Sequence, residues 1–163
     1  GNKINVTGNS IRRTVNNGVK VAGDDVVVTG NKIDDCGALS TGTAGLTIAA
    51  TAARCIVSAN GIKRSGKEGI QCYASYATIV GNTVANSGQK ASHNGIHLYD
   101  CIHGTITGNT VIDDQASATQ ANGIKSTGTS DLLVVVGNTV VGNITTQINL
   151  AGAGNESAHN IVA

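Results

Sequence analysis

Residues 78–111 read TIVGNTVANSGQKASHNGIHLYDCIHGTITGNTV. The same phrase, Ile-x-Gly-Asn-Thr-Val, stands at Asn82 and again at Asn109, 27 residues later, with a Gly-Ile-x-Leu segment at Gly95 between them. Working outward, INVTGNSI, VVVTGNKI, CIVSANGI, ATIVGNTV, GTITGNTV and LVVVGNTV recur along the chain, and AGAGNESA reads as a worn last copy. Their asparagines are Asn9, Asn31, Asn60, Asn82, Asn109, Asn138 and Asn155, at steps of 22, 29, 22, 27, 29 and 17 residues. A constant motif at irregular spacing is the mark of a solenoid whose loops vary in length.

The intervening motif recurs as GVKV at Gly18, GLTI at Gly45, GIQC at Gly69, GIHL at Gly95 and GIKS at Gly123, fading to QINL at Gln147. Each Asn is followed by its Gly after 9, 14, 9, 13 or 14 residues, whereas each Gly is followed by the next Asn after 13 to 15. Insertions therefore gather at one corner of every coil, where solenoids carry binding loops.

Three short strands per coil follow from the aliphatic columns. Val6, Val28, Val57, Ile79, Ile106 and Val135 stand three residues before the asparagines, and Ile11, Ile33, Ile62, Val84, Val111 and Val140 two after. Columns this uniform, under the period-2 alternation of a strand, face inward. The Gly motif supplies a third inward wall from Val19 and Val21 to Ile96 and Leu98. β-Branched residues suit strands stacked coil on coil, the Gly-Asn pair suits a left-handed bend, and stacked Asn amides can bond along the axis.

This pattern resembles the right-handed parallel β-helix of the pectate-lyase-like superfamily, from Ile4 to about Asn155. The resemblance implies an all-β solenoid of six to seven coils with an Asn ladder. It also implies a setting among polysaccharide lyases, hydrolases, epimerases, phage tailspikes and adhesive stalks, hence a virion-tail or extracellular location. Tailspikes of this kind are commonly homotrimers. No catalytic signature of the family, such as its Ca²⁺-binding Asp constellation with a catalytic Arg, has a clear match, so none is transferred.

Composition fits a narrow aliphatic coil: 22 Gly and no Pro, Phe, Trp or Met in 163 residues, one domain's length. The GNKINV start falls in mid-coil with no cap, and the chain reads as the C-terminal part of something longer. A formal charge of +1 gives no reason to expect nucleic acid. No apolar run is long enough to insert in a membrane, and no signal peptide precedes the first repeat. Cys36, Cys55, Cys72 and Cys101 lack metal-like spacing; Cys55 and Cys72 fall in inward columns and read as core residues.

Chemistry is expected on the outer side of the Gly-motif strand. Its outward columns are Lys20, Thr47, Gln71, His97, Lys125, Asn149 and Ala22, Ala49, Tyr73, Tyr99, Thr127, Ala151, preceded by Asn17, Ala44, Glu68, Asn94, Asn122, Thr146. This overlay gathers Lys67, Gln71, Tyr73, His93, Tyr99 and Lys125 as glycan-binding candidates, walled by loops 34–44, 85–94 and 112–122. Ring faces beside polar groups can bind sugars; two neighbouring tyrosines can equally be a plain exterior ladder. The acid–base candidates are Glu68, Asp100, Asp113 and Asp114, with His97 as an alternative base. Glycoside hydrolysis needs two carboxyls, which Glu68 and Asp113 would supply if the loop folds over. β-Elimination needs a base and a cation, which Lys67 or Lys125 would supply. No cofactor is implied. Asp34 and Asp35 offer a Ca²⁺ alternative, but their position between Arg12, Arg13, Lys63 and Arg64 predicts two charge ladders instead. Ice binding would want a flat Thr array, which the Lys20 column is not; His103 and His159 receive no role. Two functions stay open: a glycan-recognising module of a polysaccharide-degrading enzyme or tailspike, and a structural or adhesive stalk without catalysis.

Overall fold

The computed structural model describes residues 3–37 and 42–163. Every strand pairs in parallel with the strand one coil away. The result is three sheets: two of seven strands, on either side of the Asn bend, and a third of six strands on the Gly motif. Coils are numbered by their asparagines, so that the third-sheet strands Val19–Val21, Leu46–Ile48, Ile70–Cys72, Ile96–Tyr99, Asn122–Thr127 and Thr146–Asn149 belong to coils one to six. The register has no slip: Val6 faces Val28, Ile33 faces Ile62, Ile79 faces Ile106 and Ile96 faces Ile124. The predicted inward columns are the core, with Val28, Ile33, Val57, Ile62, Ile79, Val84, Ile106, Val111, Val135 and Val140 all excluded from water.

The Asn ladder is bonded throughout. The Oδ1 of each asparagine accepts both the backbone N–H and a side-chain N–H of the asparagine one coil earlier, as Asn82 does from Asn60 at 3.0 Å each. The Nδ2 donates in turn to the next Oδ1 and to a core carbonyl, for Asn82 those of Asn109 and Val57, both at 2.9 Å. The buried amides thus use all their capacity, which a hydroxyl or carboxylate could not reproduce. The left-handed bend residue is the one before the Asn: Gly8, Gly30, Gly81, Gly108 and Gly137 have φ between 61° and 68°, and Ala59 replaces Gly at 53°. Glycine serves the backbone there, and asparagine serves through its amide.

The last rung corrects the sequence reading. Asn138 donates to Asn160, not to Asn155, at 2.9 Å from its backbone and 3.0 Å from its side chain. The closing repeat is therefore 22 residues long, like the first. His159, at φ 52°, stands where the other bends have Gly or Ala, which hid the motif. Asn155 instead caps the amide of Leu133 at 2.9 Å.

The third-sheet glycines answer to space. A Cβ on Gly69, Gly95 or Gly123 would lie 2.0–2.3 Å from the Cγ1 of Val84, Val111 or Val140. There the second and third sheets approach too closely for any side chain. All four cysteines are buried and free. The charge ladder forms with one change of partner: Asp34 takes both Arg12 at 3.3 Å and Arg64 at 2.6 Å, while Asp35 keeps Arg13 at 3.9 Å. Arg64 crosses to Asp34 because that carboxylate lies nearly buried, where an ion pair is screened less, and Lys63 is left outside the ladder.

Candidate functional site

The outer face of the third sheet holds the predicted residues in register. Lys20 faces Thr47, Thr47 faces Gln71, Gln71 faces His97 and His97 faces Lys125. Alternation sends them outward because Val19, Val21, Ile70, Cys72, Ile96 and Leu98 take the interior. A groove of about 360 Å³ opens over coils one to three, floored by Lys20, Thr47, Gln71 and Tyr73 and walled by Gly42 and Thr43 on one side and Ala49 and Ala50 on the other. Lys67 enters from that wall; its stem lies across Gly42, where a Cβ would meet Lys67 Cγ at 2.7 Å. The first long loop thus walls the groove as expected, although its residues 38–41 fall outside the described residues.

Tyr73, at the end of the groove floor, pairs with Tyr99 beyond it, with centroids 5.4 Å apart and planes inclined by 52°. Tyr99 also meets the His97 ring edge-on at 6.0 Å. Partial burial raises the Tyr73 phenol above its ordinary value, and the Glu68 charge and Tyr99 add to this. Tyr73 is therefore a neutral hydrogen-bonding platform at physiological pH.

Glu68 is the buried charge of the face. Its Oε1 accepts His93 Nδ1 at 2.9 Å and has His97 Nδ1 at 3.5 Å, in ion-pair range, while its side chain is only 5% exposed. Its Oε2 and His97 Nδ1 have no hydrogen-bond partner among the described residues. Burial pushes the carboxyl upward. Interaction with His97, its own backbone N–H and the His93 charge outweigh burial, so the group titrates below its ordinary value. At 3.5 Å the His97 contact is electrostatic rather than a hydrogen bond, while His97 Nε2 hydrogen-bonds the Thr127 hydroxyl 2.8 Å away.

The proposed pairing of Glu68 with Asp113 is not what these residues do. Both Asp113 oxygens are used inside its own loop: Oδ1 accepts Gln115 N at 3.2 Å and Gln115 Nε2 at 3.1 Å, and Oδ2 accepts Thr119 N at 2.6 Å and Gln120 N at 2.7 Å. A short polar side chain bonding backbone a few residues on is loop-capping chemistry. Asp114 bonds Asn86 across one coil at 2.8 Å, and Asp100 accepts Thr129 N at 2.7 Å. Among the named carboxylates Glu68 alone is turned toward the face, its charge spent on two imidazoles. Sequence reading missed Thr127 as the His97 partner; it stands in the outward column one step beyond Lys125 and was visible there. Outside the site, His103 stacks on Tyr76 at 5.0 Å. Among the described residues no three His, Cys, Asp or Glu are grouped to hold a metal ion.

Residues 1–162 match the family described as the right handed beta helix region. The chain belongs to this family. Among solved structures it is similar to the periplasmic alginate epimerase AlgG, with a TM-score of 0.82 and 14% identity over 98% of this chain and 39% of the epimerase. The Azotobacter vinelandii mannuronan C-5 epimerase AlgE6 A-module follows at 0.73 and 16%, covering 99% of this chain and 54% of the module. The Dettilon tailspike protein gives 0.61 and 14%, over 99% of this chain and 38% of the tailspike. The chain thus spans about two fifths of the AlgG epimerase. No curated protein matches it in sequence.

Proposed function

We propose that this chain is the glycan-binding part of a β-helix protein acting on extracellular polysaccharide, with the saccharide lying along the outer face of the third sheet. The observation that carries this reading is the groove of coils one to three running into the Tyr73–Tyr99 pair. It offers amphipathic rings for sugar faces, amide and hydroxyl groups for sugar hydroxyls, and lysine cations. The resemblance in fold to an alginate epimerase and a tailspike agrees with it. Where the face carries chemistry, the geometry favours proton abstraction over two-carboxylate hydrolysis. His97 sets an imidazole on the face with Nε2 at 2.8 Å from the Thr127 hydroxyl, Lys125 stands beside it in the next coil, and both Asp113 oxygens are taken up in its own loop, away from Glu68.

A structural or tail-stalk role is the second reading, favoured by the engagement of Asp113 in its own loop. A polysaccharide array covering uronates, capsules and neutral glucans separates the two. Binding lost in the Tyr73→Ala, Tyr99→Ala double variant establishes the groove. A new reducing end or unsaturated product, abolished by His97→Ala, adds catalysis. A folded chain that binds none of the glycans is a stalk.

A further inference from the structure

One carboxylate on the third-sheet face serves two histidines. Glu68 of coil three, its side chain 5% exposed, has Oε1 at 2.9 Å from His93 Nδ1 and at 3.5 Å from His97 Nδ1, both of coil four. The imidazoles are the more open partners, with side chains 26% and 14% exposed, and His97 meets Tyr99 of the tyrosine pair edge-on. The other charged and titratable groups around the cluster are Lys67 and Tyr73 in coil three, Lys90 on the loop bonded to Gly66, Tyr99 in coil four, and Lys125, in register with His97, in coil five. The coil-two neighbours, Ala44 and Thr47, are uncharged. No second anion is at hand. The other acids of coils three to five are Asp100, Asp113, Asp114 and Asp131, and each is bonded elsewhere: to Thr129, within its own loop, to Asn86 and to Gly154.

Histidine changes charge across the neutral range, and one carboxylate neutralises one imidazolium. Glu68 stays ionised over that range: burial raises its carboxyl, but interaction with His97, its own backbone N–H and the His93 charge outweigh burial. With both rings neutral the cluster is therefore net negative by one charge, and with both protonated it is net positive by one. Resting on the glycan-binding reading above, we infer that Glu68, His93 and His97 form a proton switch that reverses the sign of this face, so that it grips an anionic glycan in mildly acidic surroundings and releases it in mildly alkaline ones. Acid adds two positive charges beside Lys125 and the tyrosine pair, in the path of the saccharide. Alkali uncovers the Glu68 charge, which repels an acidic sugar. A neutral glycan, held by ring faces and hydroxyl contacts, feels neither change.

The test is calorimetric titration of the chain, at about pH 5.5 and at about pH 8, with dextran sulfate, whose own charge is constant over that range, with polygalacturonate and with a neutral β-glucan. Both polyanions should bind about 10-fold more tightly at the lower pH, and the glucan equally at both. The His93→Gln, His97→Gln double variant should lose the difference. The His103→Gln, His159→Gln double variant, which removes the two histidines outside the face, should keep it. Glu68→Gln should tighten polyanion binding at the higher pH. In the unaltered chain, the imidazole proton resonances of His93 and His97 should titrate at higher pH when dextran sulfate is bound, because coupling between proton and ligand is reciprocal, and those of His103 and His159 should not move. Equal polyanion affinities at both pH values, or a difference that follows His103 and His159, overturns the switch while leaving a glycan groove in place. Failure of all three probes and of every glycan in the array to bind the folded chain at either pH overturns the glycan reading as well.

Discussion

Replacing Asn82 by alanine tests whether the Asn ladder holds this fold together or merely decorates its bend. Truncation removes an acceptor used twice, by Asn60 N and Asn60 Nδ2 at 3.0 Å each, and two donors bonded at 2.9 Å to Val57 O and Asn109 Oδ1. Asn60 is 1% exposed, so water does not reach the two N–H groups left behind. Each orphaned buried donor costs about 1–3 kcal/mol, giving an expected loss of about 3–5 kcal/mol after local relaxation. Asn9 is the control. Its exposed side chain donates to Asn31 Oδ1 and Thr7 O, but Asn31 Oδ1 keeps the Asn9 backbone N–H at 2.9 Å, so Asn9→Ala orphans no donor and should cost no more than about 1 kcal/mol. Urea unfolding followed by far-ultraviolet circular dichroism and by tyrosine fluorescence measures both. All three tyrosines lie in or just after the third-sheet strands of coils three and four, beside the Asn82 rung. Coincident transitions would show that the coils unfold together, and split ones that cooperativity breaks at the mutated rung. Equal losses for the two variants would refute the argument, since bond loss without orphaned donors would then account for both.

Four further outcomes follow from the packing and the electrostatics. Gly95→Ala places a Cβ 2.3 Å from Val111 Cγ1 and 2.8 Å from Gly123 O, and should cost about 1–3 kcal/mol in the same unfolding assay. Gly61→Thr meets open space at a position where coil four carries Thr83, and should stabilise by about 0.5–1 kcal/mol. Because the Glu68 carboxyl titrates lower folded than unfolded, its stabilising contribution is complete above its ordinary value of 4.5 and lost as pH falls through the folded value; a pH series of melting temperatures should show a shallower acid limb for Glu68→Gln. The four buried thiols should be silent to a bulky thiol reagent at neutral pH until denaturant is added, and fast labelling of the native chain would contradict their placement.

The fold was legible because a solenoid repeats its evidence. Val28, Ile33, Val57 and Ile62 each recur in neighbouring coils, so one ambiguous residue is outvoted by its column. That advantage fails where a column contains an exception. His159 takes the left-handed bend otherwise given to Gly or Ala, and the last rung at Asn160 was consequently misplaced at Asn155. The face was legible for the same reason: outward columns follow from inward ones, and Gln71, Tyr73, His97, Tyr99 and Lys125 lie as alternation requires. What escaped was whatever depends on loop paths. Asp113 looks like a free carboxylate in sequence, and only the turn through Thr119 and Gln120 shows four donors converging on it.

The difference between Glu68 and Asp113 also locates where function can reside. A repeat fixes every inward position and the bend, leaving chemistry only to outward columns and inserted loops. Asp113 stabilises an inserted loop and so belongs to the architecture. Glu68 is bonded on one side only: Oε1 accepts His93 Nδ1 at 2.9 Å, while Oε2 and the nearest His97 nitrogen have no hydrogen-bond partner among the described residues in a nearly buried setting. Burying a carboxylate among imidazoles with unused capacity costs stability that an apolar residue would not. Coil two shows that this column can do without the charge, because Ala44 occupies the position of Glu68 there. A cost incurred in one coil and avoided in its neighbour is better explained by a ligand on the face than by the fold, and Glu68→Ala should then change glycan binding far more than it changes the melting temperature.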